Sequence, residues 1–177
     1  MTNELKLESL AARAEAVVLP NGLVLDEVVL TSGPAEAQVK PFSLSLDLPG
    51  KFEVTVTDES LAAFLEKQAP PGVSRFAVSS QEGKVRVEAT AKAALGARVA
   101  AECSLRIQDG RRLFVDLGAV SIPFAHGLIE QQIAKINPIM DVEEFPGTIL
   151  LAGVTIENGA VRIVGTLDWN DDEGDGS

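Results

Sequence analysis

The pattern of apolar residues predicts an α+β fold: a curved antiparallel β-sheet wrapped around one long C-terminal helix, with two further helices. One observation is the stretch 121–140, where Ala125, Ile129, Ile133, Ile136 and Met140 recur at helical spacing beside Phe124 and Leu128. A second is strict alternation elsewhere. Val85, Val87, Ala89, Ala91 and Ala93 take turns with Arg86, Glu88, Thr90 and Lys92, as in an antiparallel sheet with one face covered and one wet. The third is punctuation: Gln81-Glu82-Gly83, Asp109-Gly110 and Asn158-Gly159 separate such runs as hairpin turns.

Taken in order, residues 4–18 read as a first helix, with Leu7, Leu10, Ala11, Ala14 and Val17 inward, broken by Leu19-Pro20-Asn21-Gly22. Strands follow at 23–31, 36–47 and 52–57. Asp58 is placed to cap a short helix over 59–68, which Pro70-Pro71-Gly72 stops. Four strands are expected at 73–80, 84–95, 97–108 and 112–121. The long helix opens with Ser121 as cap and Pro123 in its first turn, and Asn137-Pro138 ends or kinks it. Two strands, 148–157 and 160–168, complete one domain over 1–168. An acidic tail, 169–177, is too polar to pack and reads as disordered. The stretch 19–33 aligns without gaps on 145–159, which suggests three helix–Pro–hairpin units.

Composition narrows the function. The 177 residues are 46% hydrophobic and 23% charged, a globular balance, but only 5% aromatic. A net charge of -11 argues against nucleic acid, which calls for clustered Lys and Arg. No apolar run reaches the ~18 residues of a membrane span. No basic-then-apolar leader opens the chain, so a cytoplasmic or membrane-peripheral location is expected. The single cysteine, Cys103, alternates with core residues and reads as a small buried hydrophobe.

Catalytic chemistry has little to work with. His126, the one histidine, lacks an evident nucleophile and orienting partner, and no phosphate loop, dinucleotide fingerprint or metal-ligand spacing is present. The expectation is a non-enzyme without metal or cofactor. What stands out is basic residues on the central hairpins of an acidic chain, namely Lys84, Arg86, Lys92, Arg98, Arg106, Arg111 and Arg112. They suit a solvated mixed-charge face, or contact with anionic headgroups.

The block Val54-Thr-Val-Thr-Asp-Glu-Ser-Leu-Ala-Ala-Phe-Leu65, with Gly83-Lys-Val-Arg-Val87, Leu105-Arg-Ile-Gln-Asp-Gly-Arg-Arg-Leu113 and Phe145-Pro-Gly through Gly165, resembles the bacterial LmeA-like phospholipid-binding family over residues 5–167. That resemblance implies a TULIP-like tubular architecture and binding of phospholipid or another amphiphile, in envelope lipid assembly or transport, with peripheral membrane contact as a corollary. The apolar lining would come from Phe52, Leu61, Phe64, Leu65 and Phe76, and from Phe124, Leu128, Ile133, Ile136 and Met140 on the helix. Headgroups would meet Arg86, Arg98, Arg106, Arg111 and Arg112. The same apolar residues also suit a solid core, and then the chain is a structural or protein-interaction module.

Overall fold

The computed structural model describes residues 4–39 and 42–170. Of the tail 169–177, expected to be disordered, residues 171–177 lie outside them, whereas Trp169 and Asn170 are held in place. Trp169 C=O accepts from Leu46 N–H at 2.9 Å, and the Asn170 side chain accepts from the Ser45 hydroxyl at 2.6 Å. The chain runs through β1 (Glu4–Leu7), β2 (Leu10–Val18), β3 (Val24–Ser32), β4 (Ala35–Val39), β5 (Phe42–Leu46) and β6 (Gly50–Thr57). Helix α1 (Asp58–Gln68) follows, then β7 (Val73–Gln81), β8 (Lys84–Ala91), β9 (Ala97–Gln108) and β10 (Arg112–Val120). Helix α2 (His126–Ile136) precedes β11 (Met140–Asp141), β12 (Thr148–Glu157) and β13 (Ala160–Asp168).

Three antiparallel sheets result. One has the order β12-β13-β6-β3-β2, the second β11-β10-β9-β8-β7, and the third is a small β1-β4-β5 sheet. The two larger sheets share one core, in which Leu25, Val56, Val161 and Ile163 of the first meet Val85, Leu113 and Met140 of the second. The arrangement is a curled half-barrel.

The expected helix-in-sheet architecture is not what forms. Among the described residues there is no long C-terminal helix and none is enclosed by a sheet, so the TULIP-like fold is overturned. Residues 121–140 divide into five pieces. Ser121, expected to cap, instead accepts from the Ala100 backbone N–H at 2.9 Å and extends the sheet. A 3-10 turn (Pro123–Ala125) leads into an α2 of 11 residues. Asn137 then mimics a strand: its side chain accepts from Val115 N–H and donates to Val115 C=O, both at 2.9 Å. Past Pro138, Met140 pairs with Leu113 as β11. Hydrogen bonding to an open strand therefore wins over helical spacing.

Residues 4–18 are not helical either but form β1 and β2. The alanines and leucines suit a helix, yet a helix here would leave the outer edge of β3 unpaired. β2 instead covers β3 from Leu10↔Ser32 to Val18↔Val24, with a left-handed Ala16 (φ 54) interrupting the run. Tertiary context overrides propensity. The copy of the internal repeat at 19–33 thus has a strand before it, not a helix. The expected strand 36–47 is the β4–β5 hairpin. The cap of α1 is Thr57, whose hydroxyl accepts from Ser60 N–H at 3.2 Å, while Asp58 accepts from Ser80 N–H at 2.9 Å.

Candidate functional site

Helix α1 packs on β7 and α2 on β10, so the helices stand over opposite sides of the second sheet with β8 and β9 between them. Three strand spacings of roughly 4.8 Å separate the two supports by about 14 Å. Helices in contact lie only about 8–10 Å apart. Whether the gap closes depends on the middle strands, and these carry short side chains. Val85, Val87 and Ala89 of β8 stand in register with Cys103, Ala101 and Val99 of β9. Such residues cannot reach across, and a cleft of about 410 Å³ remains.

The cleft has an Ala/Val floor. One wall comes from Leu61, Phe64 and Leu65 of α1, the other from Leu128, Ile129, Ile133 and Ile136 of α2. The walls are held differently. Phe64 is buried and α1 is capped, whereas α2 has no side-chain cap and no buried residue. Leu128 lines the cleft and is still 56% exposed, so the cleft opens to solvent along α2. Only Gln68 and Gln132 bring amides to the lining. Gln68 donates to Asn21 C=O at 3.0 Å. Gln132 makes no side-chain hydrogen bond to any described residue, which leaves its amide available inside the cleft. Cys103 lies on the floor, where burial pushes its thiol up to about 11 and keeps it protonated.

Of the expected lining residues, Leu61, Phe64, Leu65, Phe76, Leu128, Ile133 and Ile136 surround this cleft. Three do not. Phe52 belongs to the other sheet, where its ring covers Gly165 of the paired strand: a Cβ on that glycine would collide with the ring and with Leu150 C=O. Phe124 projects to solvent at 72% exposure. Met140 is buried in β11 beside Leu113. Conversely, the floor went unnoticed as a site. Its alternation marks it as inward, but the informative signal is smallness, with Ala89 and Ala91 on β8, Ala101 on β9 and Ala93 in the turn between them.

The five arginines proposed for headgroups are all engaged with carboxylates. Arg86 and Arg98 hold Glu88 (3.2 and 2.9 Å), and Arg106 holds Asp116 (2.9 Å) beneath a cation–π contact with Phe114. Arg111 and Arg112 share Glu143 (2.8 and 3.1 Å), and Arg112 also reaches Asp141. The two arginine hydrogen bonds at Glu88, and likewise at Glu143, hold those carboxyls below the usual range.

Among the described residues no three His, Cys, Asp or Glu side chains gather as a metal site, and His126 is exposed at the start of α2. No helix of the described residues is long and apolar enough to cross a membrane. Comparisons with family models, with curated proteins and with solved structures found no match.

Proposed function

We propose that the protein is a non-enzymatic binder of amphiphiles whose cleft takes one hydrocarbon chain. The observation that carries this reading is an open apolar cleft of about 410 Å³ lined almost wholly by aliphatic side chains. That volume is near the lower end of small-molecule sites, roughly 300–1,000 Å³, so one tail fits it better than a whole two-chain lipid. Aliphatic walls suit a flexible saturated chain, which needs contact area rather than stacking. Burying roughly ten methylenes would contribute on the order of 8 kcal/mol. Gln132 offers the chain's polar end a hydrogen bond. Kinship with LmeA-like phospholipid binders rests on the sequence resemblance and belongs to the same proposal, without the fold once attached to it.

Titration of the purified protein with a fluorescent fatty acid, followed by displacement with palmitate, tests the reading. Saturable, displaceable binding is expected, and Ala101→Leu should remove it by filling the floor while leaving the melting temperature nearly unchanged. A wild-type protein that takes up no chain would refute the reading and favour the interaction module.

A further inference from the structure

Three loops converge at one end of the cleft. Ala91 of β8 pairs with Ala97 of β9, so the 92–96 turn caps this end of the sheet. Ser121 N–H donates to Ala100 C=O at 2.9 Å, which brings 121–125 alongside. Lys92 N–H donates to Gly72 C=O at 2.8 Å, which ties in the 69–72 loop after α1. Pro70, Pro71, Ala93 and Ala125 from these loops line the cleft. This end adjoins the first turn of α2, where the cleft opens to solvent beside the exposed Leu128, and it forms the mouth.

Two large apolar side chains project beside it without lining it. Leu95 is fully exposed, in a left-handed conformation (φ 57) that glycine or asparagine would adopt more cheaply, and Phe124 is 72% exposed. The cations here are also set apart. Lys6, Arg13, Lys84, Arg86, Arg98, Arg106, Arg111, Arg112 and Arg162 are paired with carboxylates. Five cations form no ion pair among the described residues, namely Lys51, Lys67, Arg75, Lys92 and Lys135. Three of these, Lys67, Arg75 and Lys92, gather at the end of α1, the start of β7 and the 92–96 turn. The neighbouring Glu66 is occupied by the backbone N–H groups of Arg75 and Phe76 (3.3 and 3.0 Å).

We propose that this mouth docks on an anionic phospholipid surface, with Leu95 and Phe124 entering between headgroups and Lys67, Arg75 and Lys92 meeting phosphates. The proposal rests on the reading of the cleft as a chain-binding site and supplies the route by which a tail passes from bilayer to cleft. Free cations at the rim of a chain of net charge -11 give local complementarity, and screening within about 8 Å weakens the distant negative charge. A second copy fits worse, because a two-fold interface would set the same three cations against themselves.

The test is cosedimentation of the full chain with vesicles of phosphatidylcholine alone, or mixed equally with phosphatidylglycerol. Binding only to the mixed vesicles is expected. Leu95→Glu with Phe124→Glu should weaken it about tenfold or more, and Lys67→Glu, Arg75→Glu and Lys92→Glu together on the order of a hundredfold. Fatty-acid uptake in vesicle-free solution should stay at the wild-type level in both variants, which also shows that they fold. Equal binding to both vesicle types, none to either, or none lost in the variants would overturn the docking surface. A dimer in light scattering that the Leu95/Phe124 variant abolishes, without vesicle binding, would overturn it in favour of a second copy. Failure of fatty-acid uptake in the wild type is a separate result and removes the cleft reading itself.

Discussion

The two large sheets draw on the same aliphatic residues, yet their inner faces are filled to different depths. In the sheet β12-β13-β6-β3-β2, branched side chains occupy the middle: Val56 and Val161 are 2% exposed and Ile163 1%, and the Phe52 ring fills the room above Gly165. In the other sheet the middle strands carry Ala89, Ala101 and Cys103, and the helices supported on its flanks cannot close over them. Overall hydrophobicity does not distinguish a core from a cleft here. Side-chain length at the two central strands does.

Truncations give the largest expected contrast. Ile163→Ala should lose about 2–5 kcal/mol in urea unfolding, since it opens a void in a closed core. Val99→Ala, on the floor, removes methyls next to space that is already open and should lose under about 1 kcal/mol. Equal losses would show that the second interior is filled in solution.

Next in size is the thiol on that floor. Burial raises Cys103 to about 11, from an ordinary value of 9.0. Above pH 9 the unfolded chain releases this proton while the folded chain keeps it. Stability is therefore fully present below about 9 and declines until the pH passes about 11, by roughly 2–3 kcal/mol in all. Cys103→Ala should lack this part of the alkaline decline. A wet cleft would let the thiol titrate normally, and wild type and variant would then follow parallel curves.

The helices repeat the contrast. Asp26 accepts from Thr57 N–H at 2.7 Å and from the Ser60 hydroxyl at 2.9 Å, fastening the start of α1 to β3. Among the described residues no side chain holds the start of α2, which is tied only at its end, by Asn137 to Val115. Asp26→Ala should cost about 2 kcal/mol by leaving those donors unpaired. In the wild type, amide hydrogen exchange should be faster in α2 than in α1. Matching protection in both helices would mean that α2 is as fixed a wall as α1.

Much of the strand map was legible because alternation and turn chemistry are local. The hairpins 148–157/160–168 and 97–108/112–120, with Asn158-Gly159 and Asp109-Gly110 between them, follow from period two and from the left-handed turn residues. Residues 4–18 were misread because Leu7, Leu10, Ala14 and Val17 satisfy helical spacing by coincidence, while the decisive fact, an open edge on β3, is nonlocal. Asn137-Pro138 is legible as a helix end, and α2 stops there, but the strand-like pairing of Asn137 is not, for the same reason: its partner, Val115, is 22 residues away. Seven of the ten residues expected to line a cavity surround this cleft: six because α1 and α2 keep their apolar faces, and Phe76 from β7. The cleft itself was hidden, because the sequence shows which residues point inward but not how far apart the helices sit above them.

The smallest expected effect is on the outer face of the open sheet. Glu88 receives hydrogen bonds from Arg98 and then Arg86, which lower its pKa below the ordinary 4.5, and Arg98 ties β8 to β9 there. Because the folded carboxyl is the stronger acid, the unfolded chain takes up the proton first as pH falls. The contribution is present above about 4.5 and disappears as pH drops through the folded value. The partners are half-exposed, so the effect is small and salt-screened. Melting temperatures from about pH 6 to about pH 3 should fall slightly more steeply for the wild type than for Glu88→Gln, and high salt should merge the two curves. A difference that survives high salt would mean that Glu88 is shielded from water and that the outer face of this sheet is covered as well.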